Sequence, residues 1–371
     1  MPGLLVALGV VGGPEPFRAL LLGAAVVAAA FVLSWAAEVV QLDISQGLAV
    51  AALALIAVLP EYVVDATFAW LAAEDPAYAG YAVANMTGAN RLLIGVAWPL
   101  VVVLGFLRFR RGLVELETSH GIELIALLAA TVYAFWLPFK GEISLLDMVI
   151  LGSIFCLYAW RIARLPVEEP DLVGPAELIG RLPPTRRRLT AGALALAAAI
   201  GVLLVAKPFA QALVATGTLL GIDEFLLVQW LAPLASEAPE FVVVALFAWR
   251  GASGAALGTL VSSKINQWTL LVAMLPLVYS VALGSAAGLP LDDRQREEVL
   301  LTAAQSLFAV TLLLDLRLSL GGALILFVLF GVQMVVPETR AVVTVIYLVL
   351  TAVAALVARR SLGRALAWLR T

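Results

Sequence analysis

Apolar runs long enough to cross a bilayer follow one another along almost the whole chain, near 18–40, 46–73, 77–107, 121–138, 144–164, 190–217, 222–250, 253–283, 299–316, 318–336 and 340–359. A hydrocarbon core about 30 Å thick takes roughly 20 helical residues to span, so these runs read as ten to eleven transmembrane helices. No length remains for a sizeable soluble domain. The runs are continuous rather than alternating, which argues against a barrel of lumen-facing strands and predicts an all-α polytopic membrane protein. Composition agrees, because 63% of the 371 residues are hydrophobic and 13% charged, too little polar surface for a water-soluble fold.

The polar stretch 165–189 holds Glu168, Glu169, Asp171, Arg181, Arg186, Arg187 and Arg188, and is too short for a folded regulatory domain. It separates a first half, 1–164, from a second, 190–371. Taken as cytoplasmic, it puts fifteen arginines on its own side of the membrane against five Arg or Lys on the other. That asymmetry predicts eleven spans in a cell membrane, with the N-terminus outside and the C-terminus in the cytoplasm. Arg91, Lys207 and Lys264 remain inside spans. Cys156 is the only cysteine, so no intramolecular disulfide forms and the residue reads as a packed hydrophobe. His120, the only histidine, reads as a solvated loop residue. With no basic n-region and no small-residue cleavage site, the first apolar helix is expected to stay in the mature protein.

Sliding the chain by 179 residues lays Ala57–Trp70 on Ser236–Trp249 with eight of fourteen positions identical. In the topology above, the two copies lie on helices that cross in opposite directions, so the halves are inverted repeats. Transporters built this way place the binding site near the midplane, where interrupted helices meet. Pro60 and Pro239 fall well inside their runs, and each can break its helix. A carboxylate follows each proline, Glu61 and Glu240. Isolated buried carboxylates are costly, and two in symmetric places make sense with a cation or proton between them. Asp65 lies four residues after Glu61 and Glu237 three before Glu240, which puts each on its partner's helical face. The following helices add Asn85, Thr87, Asn90 and Arg91 in one half, and Ser262, Ser263, Lys264 and Asn266 in the other. Oxygen donors without sulfur or imidazole suit calcium, sodium or protons.

At these residues the chain resembles the cation/calcium exchanger superfamily, which includes the sodium/calcium exchangers. Pro60-Glu61 and Pro239-Glu240 match the Pro-Glu pair of the family's two inverted alpha-repeats, here about 46–107 and 222–283. Ala84-Asn85-Met86-Thr87-Gly88-Ala89-Asn90 is similar to the Gly-Asn-x-x-Gly-Ser-Asn-like segment that follows, departing from it at Ala84 and Ala89. The resemblance implies a ten-helix core with one added helix, alternating access, and cation ligation by Glu61, Glu240 and Asn85. Members usually carry Thr or Ser just before the Pro-Glu pair, where this chain has Ala57, Val58 and Leu59, and Ser236, Glu237 and Ala238. The second repeat departs further. An ungapped shift of 179 sets Lys264 opposite Asn85, whereas an alignment on Gly258-Thr259 sets Thr259 there and Lys264 opposite Asn90.

The cation-binding set is therefore Glu61, Glu240, Asn85, Asp65, Glu237, Ser236 and Ser263, with Glu61 and Glu240 the metal ligands and Lys264 and Arg91 tuning the charge. Asp65 and Glu237 serve either as ligands or as salt-bridge partners of Arg91 or Lys264. Lys264 acts either as a built-in cation in place of one ion or as such a partner, and Arg91 reads as structural. Lys207 is expected to snorkel, Glu38 and Asp315 to lie at headgroup level, and Trp70 and Trp249 in the aromatic belt. The expected function is a secondary antiporter exchanging calcium against sodium or protons. The alternatives are a monovalent cation/proton exchanger or, from another class, a channel or a non-transporting scaffold. A lone histidine supplies no H-E-x-x-H set and the linker no nucleotide signature, so neither an enzyme nor ATP drive is expected. The expected partners are inorganic cations (Ca2+, Na+ or H+) and the lipid bilayer, with no other cofactor, no nucleotide and no nucleic acid.

Overall fold

The computed structural model describes residues 2–43, 58–164 and 172–357. Its helices are α1 (Pro2–Ala7), α2 (Glu15–Val40), α3 (Leu59–Leu71), α4 (Ala77–Leu92), α5 (Trp98–Phe109), α6 (Gly121–Ala134), α7 (Leu137–Lys140), α8 (Leu145–Ile162), α9 (Pro175–Gly180), α10 (Pro184–Leu220), α11 (Glu224–Arg250), α12 (Ser253–Asn266), α13 (Val272–Leu283), α14 (Asp293–Leu312), α15 (Leu320–Val335) and α16 (Arg340–Val357). Four short strands join them: β1 (Leu113–Glu115), β2 (Glu142–Ile143), β3 (Leu289–Pro290) and β4 (Arg317–Ser319). Among the described residues, all eleven apolar runs are helical, and eight of the resulting helices are long and apolar enough to cross a membrane. The other three runs are α3, α14 and α15. Residues 46–57 of the second run, Glu168, Glu169 and Asp171 of the linker, and Arg359, Arg360, Arg364 and Arg370 lie outside the described residues.

The prolines do not all behave as expected. Pro60 stands in the first turn of α3, where its missing N–H has no helical partner to lose. Pro239 lies inside α11, which stays helical through it and through Pro233, so the break that Pro239 can cause does not occur. The polar linker ends sooner than its composition implies. Pro184 starts α10, and Arg186, Arg187 and Arg188 ride on its first turns.

The chain packs as two units, one drawn from Met1–Asn85 and Ala159–Glu240, the other from Met86–Tyr158 and Phe241–Thr371. In the first, α2 lies along α10. Both helices are alanine-rich, and small side chains let helix backbones approach closely where lipid gives no hydrophobic drive. Leu33, Ala198 and Val202 form one buried cluster, closed by Leu59 and Val63 of α3; Val39, Ala176 and Ala191 form another. Just past α2, Asp43 accepts from Arg187 at both carboxylate oxygens, at 2.7 and 2.8 Å, and from Arg188 at 2.9 Å. The Arg187 hydrogen bonds hold the Asp43 carboxyl down at about 2.

The second unit displays the repeat symmetry. β1 pairs with β4 and β2 with β3, both antiparallel. Helix α6 begins just after β1 and ends before α7 and β2, while α14 begins after β3 and ends at β4. The two small sheets therefore sit at opposite ends of α6 and of α14, and these packed helices run antiparallel, which is the relation expected of inverted copies. Each half also carries a π-helical turn, Leu93–Ala97 between α4 and α5 and Gln267–Leu271 between α12 and α13. The first of these receives Phe330 of α15 against Gly95, where a Cβ would approach its ring carbon to 2.3 Å. Outward faces are apolar, with Val342, Val345, Val349 and Val353 exposed on α16, as lipid contact requires.

Candidate functional site

In the first unit the functional side chains come from α3, α4 and α11. Asn85 Nδ2 donates to Asp65 Oδ1 at 2.8 Å, and both residues are fully buried. Glu61, one turn before Asp65 on the same face of α3, is 2% exposed. The second carboxylate oxygen of Asp65 and the amide oxygen of Asn85 have no hydrogen-bond partner among the described residues. Two buried acceptor oxygens left this way carry a desolvation cost that a cation or a proton would relieve. On α11, Ser236 and Glu237 are buried and Glu240 half-buried. The Ser236 hydroxyl donates to the carbonyls of Ala232 and Pro233 at 3.2 Å, leaving its oxygen as an acceptor.

In the second unit the π-helical turns decide the register between the repeats. Leu93–Ala97 and Gln267–Leu271 are 174 residues apart, which sets Lys264 opposite Asn90 and Thr259 opposite Asn85. The five-residue change from the shift of 179 arises in two places. The connection before the second repeat helix shrinks from 72–76 to 251–252, and that helix from 16 residues in α4 to 14 in α12. The paired positions touch. Lys264 Nζ donates to Asn90 Oδ1 at 2.5 Å, lies 4.5 Å from the Trp268 ring centroid and is fully buried.

Arg91 forms a buried ion pair with Glu298 of α14 at 2.5 Å and donates to Gln333 at 3.1 Å. Arg340 reaches the other oxygen of Glu298 at 3.2 Å. Arg91 thus ties α4 to α14. Ser262, rather than Ser263, meets an acid: its hydroxyl donates to Glu123 of α6 at 2.5 Å, while Ser263 is half-buried. Trp70 and Trp249 are about half exposed, at 47% and 50%, and Arg108 stacks on Trp249. Asp315 and Lys207 are exposed, but Lys207 lies well inside α10.

Two readings from the sequence need correction. Cys156 is exposed on α8 rather than packed, because it falls on the outward side of that helix. His120 is half-buried and contacts Glu123 rather than standing free in solvent. Sequence reasoning also passed over Glu123 and Glu298, both buried. A signal existed. A shift of 175 residues lays Glu123 on Glu298, Thr131 on Ser306 and Ala134 on Ala309, so the acids hold equivalent places in α6 and α14.

Comparison with known proteins agrees with this architecture. The model of the family described as sodium/calcium exchanger protein matches residues 17–163 and 190–337. The crystal structure of the H+/Ca2+ exchanger CAX superposes with a TM-score of 0.93 at 42% identity, covering 98% of this chain and 92% of that one. Native YfkE (TM-score 0.66, 14% identity, 90% of this chain and 96% of that one) shares the fold. So does the sodium-calcium exchanger NCX_Mj soaked with Na+ and Sr2+ (TM-score 0.56, 18% identity, 90% and 99%). No curated protein gives a significant match. Two inverted repeats, paired Pro-Glu elements and a family match over both halves place the chain in the sodium/calcium exchanger protein family.

Proposed function

We propose that this cation/calcium antiporter exchanges calcium for protons by alternating access, with Glu61, Asp65, Asn85, Glu237 and Glu240 as the carboxylate and amide ligands. The observation that carries this reading is the buried Asp65–Asn85 pair, whose two remaining oxygens await a hard cation or a proton. The choice of protons over sodium rests on the 42% identity, across nearly the full length, with an H+/Ca2+ exchanger. The fixed charge of Lys264 supports the same choice: an ammonium at a repeat-equivalent position leaves fewer places for monovalent ions. Ser236 and Ser263 supply further oxygens, Lys264 tunes the charge, and Arg91 holds helices together. The membrane topology that goes with this reading has the N-terminus outside and the C-terminus in the cytoplasm.

Purified protein in liposomes tests it. Calcium uptake should follow an imposed pH gradient without any sodium. A strict sodium requirement would favour sodium/calcium exchange, and current without a counter-ion would mean a channel. Cysteine labelling in a Cys156→Ala background should reach Arg187→Cys from the cytoplasmic face and Asp292→Cys from the other. Labelling of both from one face would overturn the topology.

A further inference from the structure

The equivalent acids Glu123 and Glu298 are neutralised differently. Glu298 meets two guanidiniums, Arg91 and Arg340, which stay charged at any physiological pH. Glu123 instead meets the only histidine of the chain, His120 Nδ1, together with the hydroxyls of Ser262 at 2.5 Å and Tyr158 at 3.4 Å. The imidazole also lies against Gly258 of α12, where a Cβ would fall 2.4 Å from its Cε1, so only glycine admits the ring there. One buried acid is thus held by a permanent charge and its repeat mate by a titratable one.

We propose that His120, Glu123 and Ser262 form a proton-binding site, distinct from the transport site, that governs how α12 of the second repeat rests on α6. With a proton on His120, imidazolium and carboxylate neutralise each other and α12 is held through Ser262 and Gly258. Without it, a carboxylate that is 5% exposed keeps, among the described residues, the neutral hydroxyls of Ser262 and Tyr158, a costly arrangement that loosens the contact. The His120 side chain is 22% exposed, so solvent protons reach it.

The surrounding charges leave this dyad in control. Glu117 near His120 is exposed and Glu115 pairs with Arg317 at 2.9 Å. Asp315, just past the end of α14, is exposed, and Lys264 on α12 is bonded to Asn90. Tyr158 from α8 contributes its neutral hydroxyl. Because alternating access requires repeat helices to move, holding α12 slows exchange, and acid on the His120 face acts as a brake.

The inference rests on the antiport reading, which wild-type flux in the same vesicles checks separately. At equal pH difference across the membrane, wild-type calcium flux should rise several-fold as absolute pH is raised from about 5.5 to 7.5, a range that brackets the ordinary histidine value. His120→Gln should flatten that rise at the high-pH flux, because Glu123 then lacks an imidazolium at every pH, and Glu123→Gln should flatten it at the low-pH flux, because no buried charge is left to loosen the contact. A single histidine also gives one imidazole resonance, and its titration should differ between wild type and Glu123→Gln. An identical titration, or a rise in flux that survives His120→Gln, would overturn the proposal. So would a loss of flux in His120→Gln by the same factor at every pH, which marks a structural role.

Discussion

Lys264 donates its ammonium to the side-chain oxygen of Asn90 at 2.5 Å, and the π-helical turns make these two residues equivalent positions of the inverted repeats. A position filled by an amide in one repeat is filled by a fixed positive charge in the other. The charge is buried and rests partly on the face of Trp268, a contact that helps to stabilise it.

Lys264→Asn would restore an amide at that position and remove the charge. Calcium binding should tighten by about tenfold, or roughly 1.4 kcal/mol, or the counter-ion requirement should change. Titration of calcium into the detergent-solubilised variant measures the first, and flux under sodium and pH gradients the second. A lowered Tm with unchanged ion preference would show that Lys264 serves the packing alone.

Asp65→Asn keeps the shape and the bond to Asn85 but removes the carboxylate charge. Interactions with charged groups are worth about 1.5–3 kcal/mol, so calcium affinity should fall roughly 10- to 100-fold with Tm preserved. Equal affinity in the variant would take Asp65 out of the ligand set.

Breaking the Arg91–Glu298 pair should act on stability. Arg91→Leu leaves the buried Glu298 carboxylate with Arg340 alone, a loss that costs up to about 3–5 kcal/mol, whereas Glu298→Gln retains a neutral partner. Thermal unfolding should therefore drop far more in the first variant than in Arg91→Leu/Glu298→Leu, where both charges are gone. Equal drops would mean that the ion pair adds nothing beyond volume.

Asp43 gives a pH dependence with a definite sign. Its carboxyl is held at about 2 by Arg187 and Arg188, below the ordinary carboxylate value of roughly 3.9, so the pair stabilises the folded state fully above that ordinary value. The gain is lost as pH falls through about 2. The Tm gap between wild type and Asp43→Asn should be constant from pH 5 to 8 and close in strong acid. A gap that varies above pH 5 would contradict the pairing.

The helices were legible because a bilayer forces long apolar runs, and the Pro-Glu pairs because their flanks recur. Register was not. The ungapped shift that fits Pro60 and Pro239 fails beyond Trp70 and Trp249, where the second repeat loses residues from its connection and its helix, and only the π-helical turns locate the change. Neither was the partner of Arg91. An ion pair to Glu298 joins segments far apart in sequence, and nothing local to Arg91 distinguishes that acid from Asp65 or Glu237. The face of Cys156 was equally hidden, since α8 is apolar all round and its periodicity does not say which side meets lipid.

Exchange of calcium for protons on the buried carboxylates, as proposed above, has a direct test. The most direct measurement compares calcium uptake into sodium-free proteoliposomes under an outward proton gradient for wild type, Glu61→Gln and Glu240→Gln, each checked for an unchanged Tm. Wild type should accumulate calcium and release protons in step with it, and both variants should fall to the level of empty vesicles. Wild-type uptake that ignores the proton gradient, or near-normal uptake in both variants, would contradict it.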